Sequence, residues 1–160
     1  MGIWQRVLPE TVNNDYQGGK VAIYGLVLLM FPLTFRSLVH LLKDDSGVNS
    51  IATIVLFGGD PDPNNVVYLF SSLWGGQQLV FVCLLAIVLV RYRALIPMMY
   101  ALLVAEMAFR FVSGSLHPLT PEYYASRPPG AVGTLPMLIY VVTMLFFSLS
   151  SRKPQAAQPD

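Results

Sequence analysis

Residues 91–118 read RYRALIPMMYALLVAEMAFRFVSGSLHP. Arg91 and Arg93 open the stretch, and the chain then stays apolar for about the thickness of a bilayer core, roughly 20 residues of helix. Near its far end stand Glu106 and Arg110. Four residues apart, they share one helical face within hydrogen-bonding reach. Ionisable groups inside a membrane span are costly and mark functional sites by default. This stretch is therefore a transmembrane helix carrying a polar pair.

Working outward, three more spans emerge. The first runs from Lys20 to about Leu42, with Pro32 in its middle and Arg36 and His40 one and two turns beyond it. Pro32 lacks the N–H that would reach the Leu28 carbonyl, which predicts a kink. The second runs from Val66 to Val90, and the third, containing the quoted pair, from Ala94 to about Gly114. The fourth covers 131–150 and has no charge inside. Ser71 and Gly75, and again Ser72 and Gly76, are small residues at four-residue spacing, the pattern that lets helices approach closely in lipid. Trp74, Gln77 and Gln78 stand beside them, and mid-span amides need partners on other helices or on water.

Composition agrees. Of 160 residues, 54% are hydrophobic and only 12% charged, against roughly 25% charged in soluble domains. The net charge of +1 gives no basis for nucleic-acid binding. The single cysteine, Cys83, cannot form an internal disulfide. His40 and His117 are the only histidines, and with no further ligand in the pattern neither a metal nor another cofactor is expected. The DPDPNN run at 60–65 lacks the turn glycine and closing glutamate of a calcium loop. It reads instead as a stiff turn, with Asn64 or Asn65 capping the second span.

The remaining segments are short. Residues 1–19 form an interfacial N-terminal piece, with Ile3, Trp4, Val7 and Leu8 on one helical face and Trp4 at headgroup level. The apolar run Ile51–Phe57 in the first long loop is too short to span and is expected as an interfacial or re-entrant helix capped by Asn49 or Ser50. Residues 151–160 form a polar tail expected to be disordered. Arg6, Lys20, Arg91, Arg93, Arg152 and Lys153 all flank one side, so the positive-inside rule puts both termini in the cytoplasm and both long loops outside.

Depth then aligns the polar residues. Counted at 1.5 Å per residue from the loop ends, His40 and Arg110 lie roughly 5 Å deep, Arg36 and Glu106 about 10–12 Å, and Gln77 and Gln78 roughly 17 Å. An Arg36–Glu106–Arg110 network across the bundle is expected from this alignment, with a positive surplus facing outward. The six residues are candidates for holding an anionic lipid headgroup, a carboxylate or a quinone carbonyl. The same network would equally fasten two spans together.

Charged residues in the first and third of four spans, a short second-to-third turn and a basic cytoplasmic side resemble the small bacterial inner-membrane proteins grouped as DoxX-like. The resemblance covers residues 20–150 and rests on layout. It implies a compact four-helix bundle and, in some relatives, an accessory role beside a redox enzyme. The expected fold is an all-α, four-span membrane bundle. The expected function is an accessory subunit or binding protein, within a larger membrane complex or a homo-oligomer, with an outward-facing pocket for an anionic lipid or quinone-like ligand. The alternatives are a membrane enzyme acting on a lipid or quinone and a small oligomeric transporter.

Overall fold

The computed structural model describes residues 2–150 and is all-α. Its helices are α1 (Ile3–Val7), α2 (Lys20–Leu42), α3 (Asn64–Arg91), α4 (Ile96–Leu116) and α5 (Pro129–Leu149), with 3-10 turns at Arg93–Leu95 and Pro121–Tyr123. The last four are long and apolar enough to cross a membrane. The protein is an integral membrane protein built as a four-helix bundle. The tail at 151–160 lies outside the described residues.

Helix boundaries follow local chemistry. Pro97, in the first turn of α4, occupies a position whose N–H would be unpaired in any case. α2 continues through Pro32, which faces outward. The start of α3 differs from expectation. Asn64 is its first residue rather than its cap. The Asp62 carboxylate accepts the Asn64 N–H at 2.9 Å, and the Asn64 side-chain amide bonds both the N–H and the carbonyl of Phe57. A carboxylate at a helix start also suits the helix dipole.

Packing sets the neighbour order α3–α2–α5–α4, and α3 and α4 barely meet although a tight turn joins them. The reason is visible in the glycines. A Cβ on Gly75 would sit 2.7 Å from both the His40 Cβ and the Leu41 backbone nitrogen, so α3 lies directly on the backbone of α2 there. Ser72 adds a hydroxyl bond to the Leu41 carbonyl at 3.3 Å. Gly76 is different, because its Cβ would meet only Leu41 Cδ1, at 3.7 Å. On the far side of α2, Tyr140 of α5 donates to the Gly25 carbonyl and Tyr100 of α4 to the Ala22 carbonyl.

The main buried apolar cluster lies toward the end of the bundle nearest the termini. It comprises Ala22, Leu26, Leu29 and Leu33 of α2, Val82, Leu85 and Val88 of α3, Ile96 to Met107 positions of α4, and Val141 of α5. That end is also tied across its base. Gly19 N–H bonds the Phe147 carbonyl, Ala94 N–H bonds the Asn13 carbonyl, and the Arg6 guanidinium bonds the Leu149 carbonyl. α1 packs on α4 and α5 with Ile3 and Trp4 outward, 68% and 79% exposed, the arrangement expected of a helix at the interface.

The loop end is built differently. The run 51–57 is not helical. Residues 44–51 form successive turns, and Ile54 makes an isolated bridge with Tyr124. Val55 N–H bonds the Tyr123 carbonyl at 3.0 Å, Ala125 N–H bonds the Thr53 carbonyl at 2.9 Å, and Thr53 Oγ1 donates to the Ser126 carbonyl. A run of seven residues is too short for a stable helix on its own, and the second loop supplies the backbone partners it needs. The two long loops are thus knitted into one roof over this end of the bundle.

Candidate functional site

Beneath that roof the polar side chains gather around one ring, Trp74 of α3. The Arg36 guanidinium lies 4.5 Å from the ring centroid and that of Arg110 lies 5.2 Å from it. The His40 ring sits 4.8 Å away, tilted by 52°. Cations over the indole face gain from its quadrupole, by up to about 2 kcal/mol each where water is excluded. Three helices thus contribute to a single centre: α2 with Arg36 and His40, α3 with Trp74 and Gln78, α4 with Glu106 and Arg110.

The hydrogen bonds divide this centre into two pairs. Arg110 donates to Glu106 Oε1 through Nε at 2.7 Å and also through Nη2. Arg36 Nε donates to Gln78 Oε1 at 3.2 Å. The expected Arg36–Glu106 bridge is not formed: Glu106 pairs with Arg110. The neighbour order explains this. α2 packs on α3 and α5, so Arg36 finds its hydrogen-bond partner on α3, while Glu106 is taken by Arg110 of its own helix.

One donor is left over. Arg36 Nη2 is buried and bonds nothing. A buried unsatisfied donor costs about 1–3 kcal/mol, more when charged. His40 is fixed from the other side, with Nδ1 2.7 Å from the Ser46 carbonyl and 3.0 Å from Ser71 Oγ. Ser46 in turn donates to the Tyr68 carbonyl. The loop roof and the cluster are therefore connected through His40.

Two spaces adjoin the ring. A cationic chamber of about 320 Å³ lies under the roof, lined by Arg36, His40, Trp74 and Arg110, by Ile51 and Ala52 of the first loop, and by the Pro128–Gly130 turn. A groove of about 340 Å³ lies between α3 and α4, floored by Leu33 and walled by Trp74, Gln77, Gln78 and Glu106 with apolar side chains. Gln77 belongs to the groove, and His117, exposed at the end of α4, is not among the residues around the ring. Among the described residues no group of three or more His, Cys, Asp or Glu side chains is placed to hold a metal ion.

With two guanidinium ions, one carboxylate and an imidazole, the cluster has a surplus of positive charge on its chamber side. Such a site can hold an oxyanion or polarise a carbonyl. Trp74 is the residue that sequence reasoning did not assign to the site. The available signal was its position one turn before Gln78, on the same helical face. The chain matches no protein-family model, no curated protein and no solved structure.

Proposed function

We propose that the protein is a small membrane binding protein, acting as an accessory subunit, that holds an anionic or carbonyl-bearing amphiphile in the cationic chamber on the outer side of the membrane. The observation that carries this reading is Arg36 Nη2, a buried charged donor without a partner beside a cavity of about 320 Å³. A phosphate or carboxylate oxygen there would satisfy the donor, with Arg110 on the same cavity wall. A quinone carbonyl would use the same donor with a neutral ligand. Apolar lining from Phe35, Val39, Ile51 and Ala52 would take the portion of the ligand next to its head. The accessory role draws support from the layout shared with DoxX-like proteins and from the shortness of the loops, which hold no separate catalytic domain.

The test uses purified protein in nanodiscs of phosphatidylcholine, with phosphatidylglycerol, inorganic phosphate or a short-chain ubiquinone added in separate arms. Phosphatidylglycerol or the quinone is expected to raise the melting temperature, and inorganic phosphate to do so only weakly. Arg36→Met should abolish the rise at little net cost to the ligand-free protein, because it removes a buried unsatisfied donor along with the Gln78 bond and the Trp74 contact. A large loss of ligand-free stability in Arg36→Met, with no effect of any addition on the parent protein, would make Arg36 a structural fastener and end this reading.

A further inference from the structure

The groove between α3 and α4 differs from the chamber in charge, in access and in chemistry. It lies along the middle of both helices, between Trp74 and Val82 on one side and Leu102 and Phe109 on the other. It exists because Gly75 commits α3 to α2, leaving α4 to pack on α5. An opening at that level faces the hydrocarbon of the bilayer. Its walls are Phe81, Val82, Leu102, Leu103 and Phe109, yet one end carries Gln77, Gln78 and Glu106. Arg110 Nε and Nη2 both donate to Glu106 Oε1. Oε2 remains as an acceptor on the groove wall, on a side chain that is 35% exposed. A carboxylate oxygen turned toward lipid needs a donor.

Three occupants fit such a slot differently. A transmembrane helix of a partner would require small residues along the walls for close approach, and apart from Ala105 these walls are large. An ammonium headgroup would add a third cation beside Arg36 and Arg110, where Glu106 is already paired. An anionic head would meet the Glu106 carboxylate. A neutral hydroxyl on a hydrocarbon chain satisfies Oε2 and the glutamine amides without either conflict. We propose that the α3–α4 groove is a second, lateral lipid site that binds the free hydroxyl of a neutral lipid, such as a diacylglycerol or a long-chain alcohol, through Glu106.

The experiment uses the protein in phosphatidylcholine nanodiscs containing photoactivatable diacylglycerol, phosphatidylglycerol or phosphatidylcholine at equal mole fraction, with labelled peptides read by mass spectrometry. Diacylglycerol should label the peptides around Phe81 and Phe109 about tenfold more than phosphatidylcholine, which has no hydroxyl to donate, the discrimination that one hydrogen bond to a charged acceptor provides. Glu106→Gln should remove most of that preference. Ala105→Phe should fill the groove and abolish labelling. If it lowers the melting temperature, Leu102→Trp, at an exposed position on the same wall, serves as the block. Ala52→Phe, which fills the chamber and stands at no wall of the groove, should leave diacylglycerol labelling unchanged, so failure of the anion site and failure of this one are distinguishable. Equal labelling by all three lipids, as for ordinary boundary lipid, overturns the proposal, as does preference for phosphatidylglycerol or cross-linking of a second copy through this face.

Discussion

At the scale of single residues, Gly75 and Trp74 determine what the polar side chains can reach. Gly75 is buried where α3 meets the α2 backbone, and one turn of helix either side of it carries Ser71 and Gln78, which bond His40 and Arg36. The close approach and the polar contacts are one feature. Gly75→Ala is expected to cost about 1–3 kcal/mol, the usual penalty for overpacking against atoms that cannot move, and to loosen the Arg36–Gln78 bond. Gly76→Ala meets only the end of a flexible leucine at ordinary contact distance and should be neutral or slightly stabilising. Thermal unfolding of both variants in the same detergent checks the pair, and equal effects would show that α3 does not rest on α2 at Gly75. The small-residue spacing was legible in the sequence for all four of Ser71, Ser72, Gly75 and Gly76, but the difference between the two glycines was not. Spacing names a face, and only the neighbouring backbone decides which member of it is in contact.

At the scale of elements, the loops were the least legible part of the chain. Val66–Val90 and Ala94–Gly114 could be bounded within about two residues because apolar length and flanking arginines define a span. Residues 51–57 could not, since their backbone partners lie some seventy positions away at 123–126. The turn that leads into them is organised by Asp45. Its carboxylate accepts the Gly47 N–H at 3.0 Å and the Ser50 N–H at 2.7 Å, with Lys43 at 3.8 Å. Partial burial alone would raise its pKa, but the hydrogen bonds from Ser50 and Gly47, helped by Lys43, outweigh that and lower it from the ordinary 3.8 to about 2. A pKa lowered on folding contributes stability that is complete above the unfolded value and is lost as pH falls through the folded one. Protection of the Gly47 and Ser50 amides from hydrogen exchange should therefore hold down to about pH 4 and decline toward pH 2. Asp45→Ala should show low protection at every pH. Equal protection in the two proteins would mean the carboxylate does not organise the turn.

At the scale of the whole molecule, the two ends of the bundle are held differently. The core and the crossing hydrogen bonds of residues 13–19 tie the terminal end, while at the loop end α3 rests on α2 at Gly75 and polar side chains gather around Trp74 under a roof. The number of spans and the layer occupied by the polar residues followed from counting residues along helices. The neighbour order did not, because helix counting carries no information on which helix lies beside which. That order turned an expected Arg–Glu–Arg bridge into two pairs that share contact with one ring. Which end faces the cytoplasm decides the leaflet from which a ligand reaches the chamber, and the charges argue for one answer. Among the described residues Arg6, Lys20, Arg91 and Arg93 flank the terminal end, against Lys43 and Arg127 at the loop end. Acidic residues count little in this rule, so Asp44, Asp60 and Asp62 do not weaken it. In a Cys83→Ala background, single cysteines at Gly58 and Leu119, both exposed in the loops, should react with an impermeant thiol reagent on intact cells. One at Glu10, exposed at the terminal end, should react only after permeabilisation. Ser46 is unsuitable as a probe, being only 3% exposed beneath the roof. Labelling of Glu10 alone on intact cells would invert the molecule, and the chamber would then draw its ligand from the cytoplasmic leaflet.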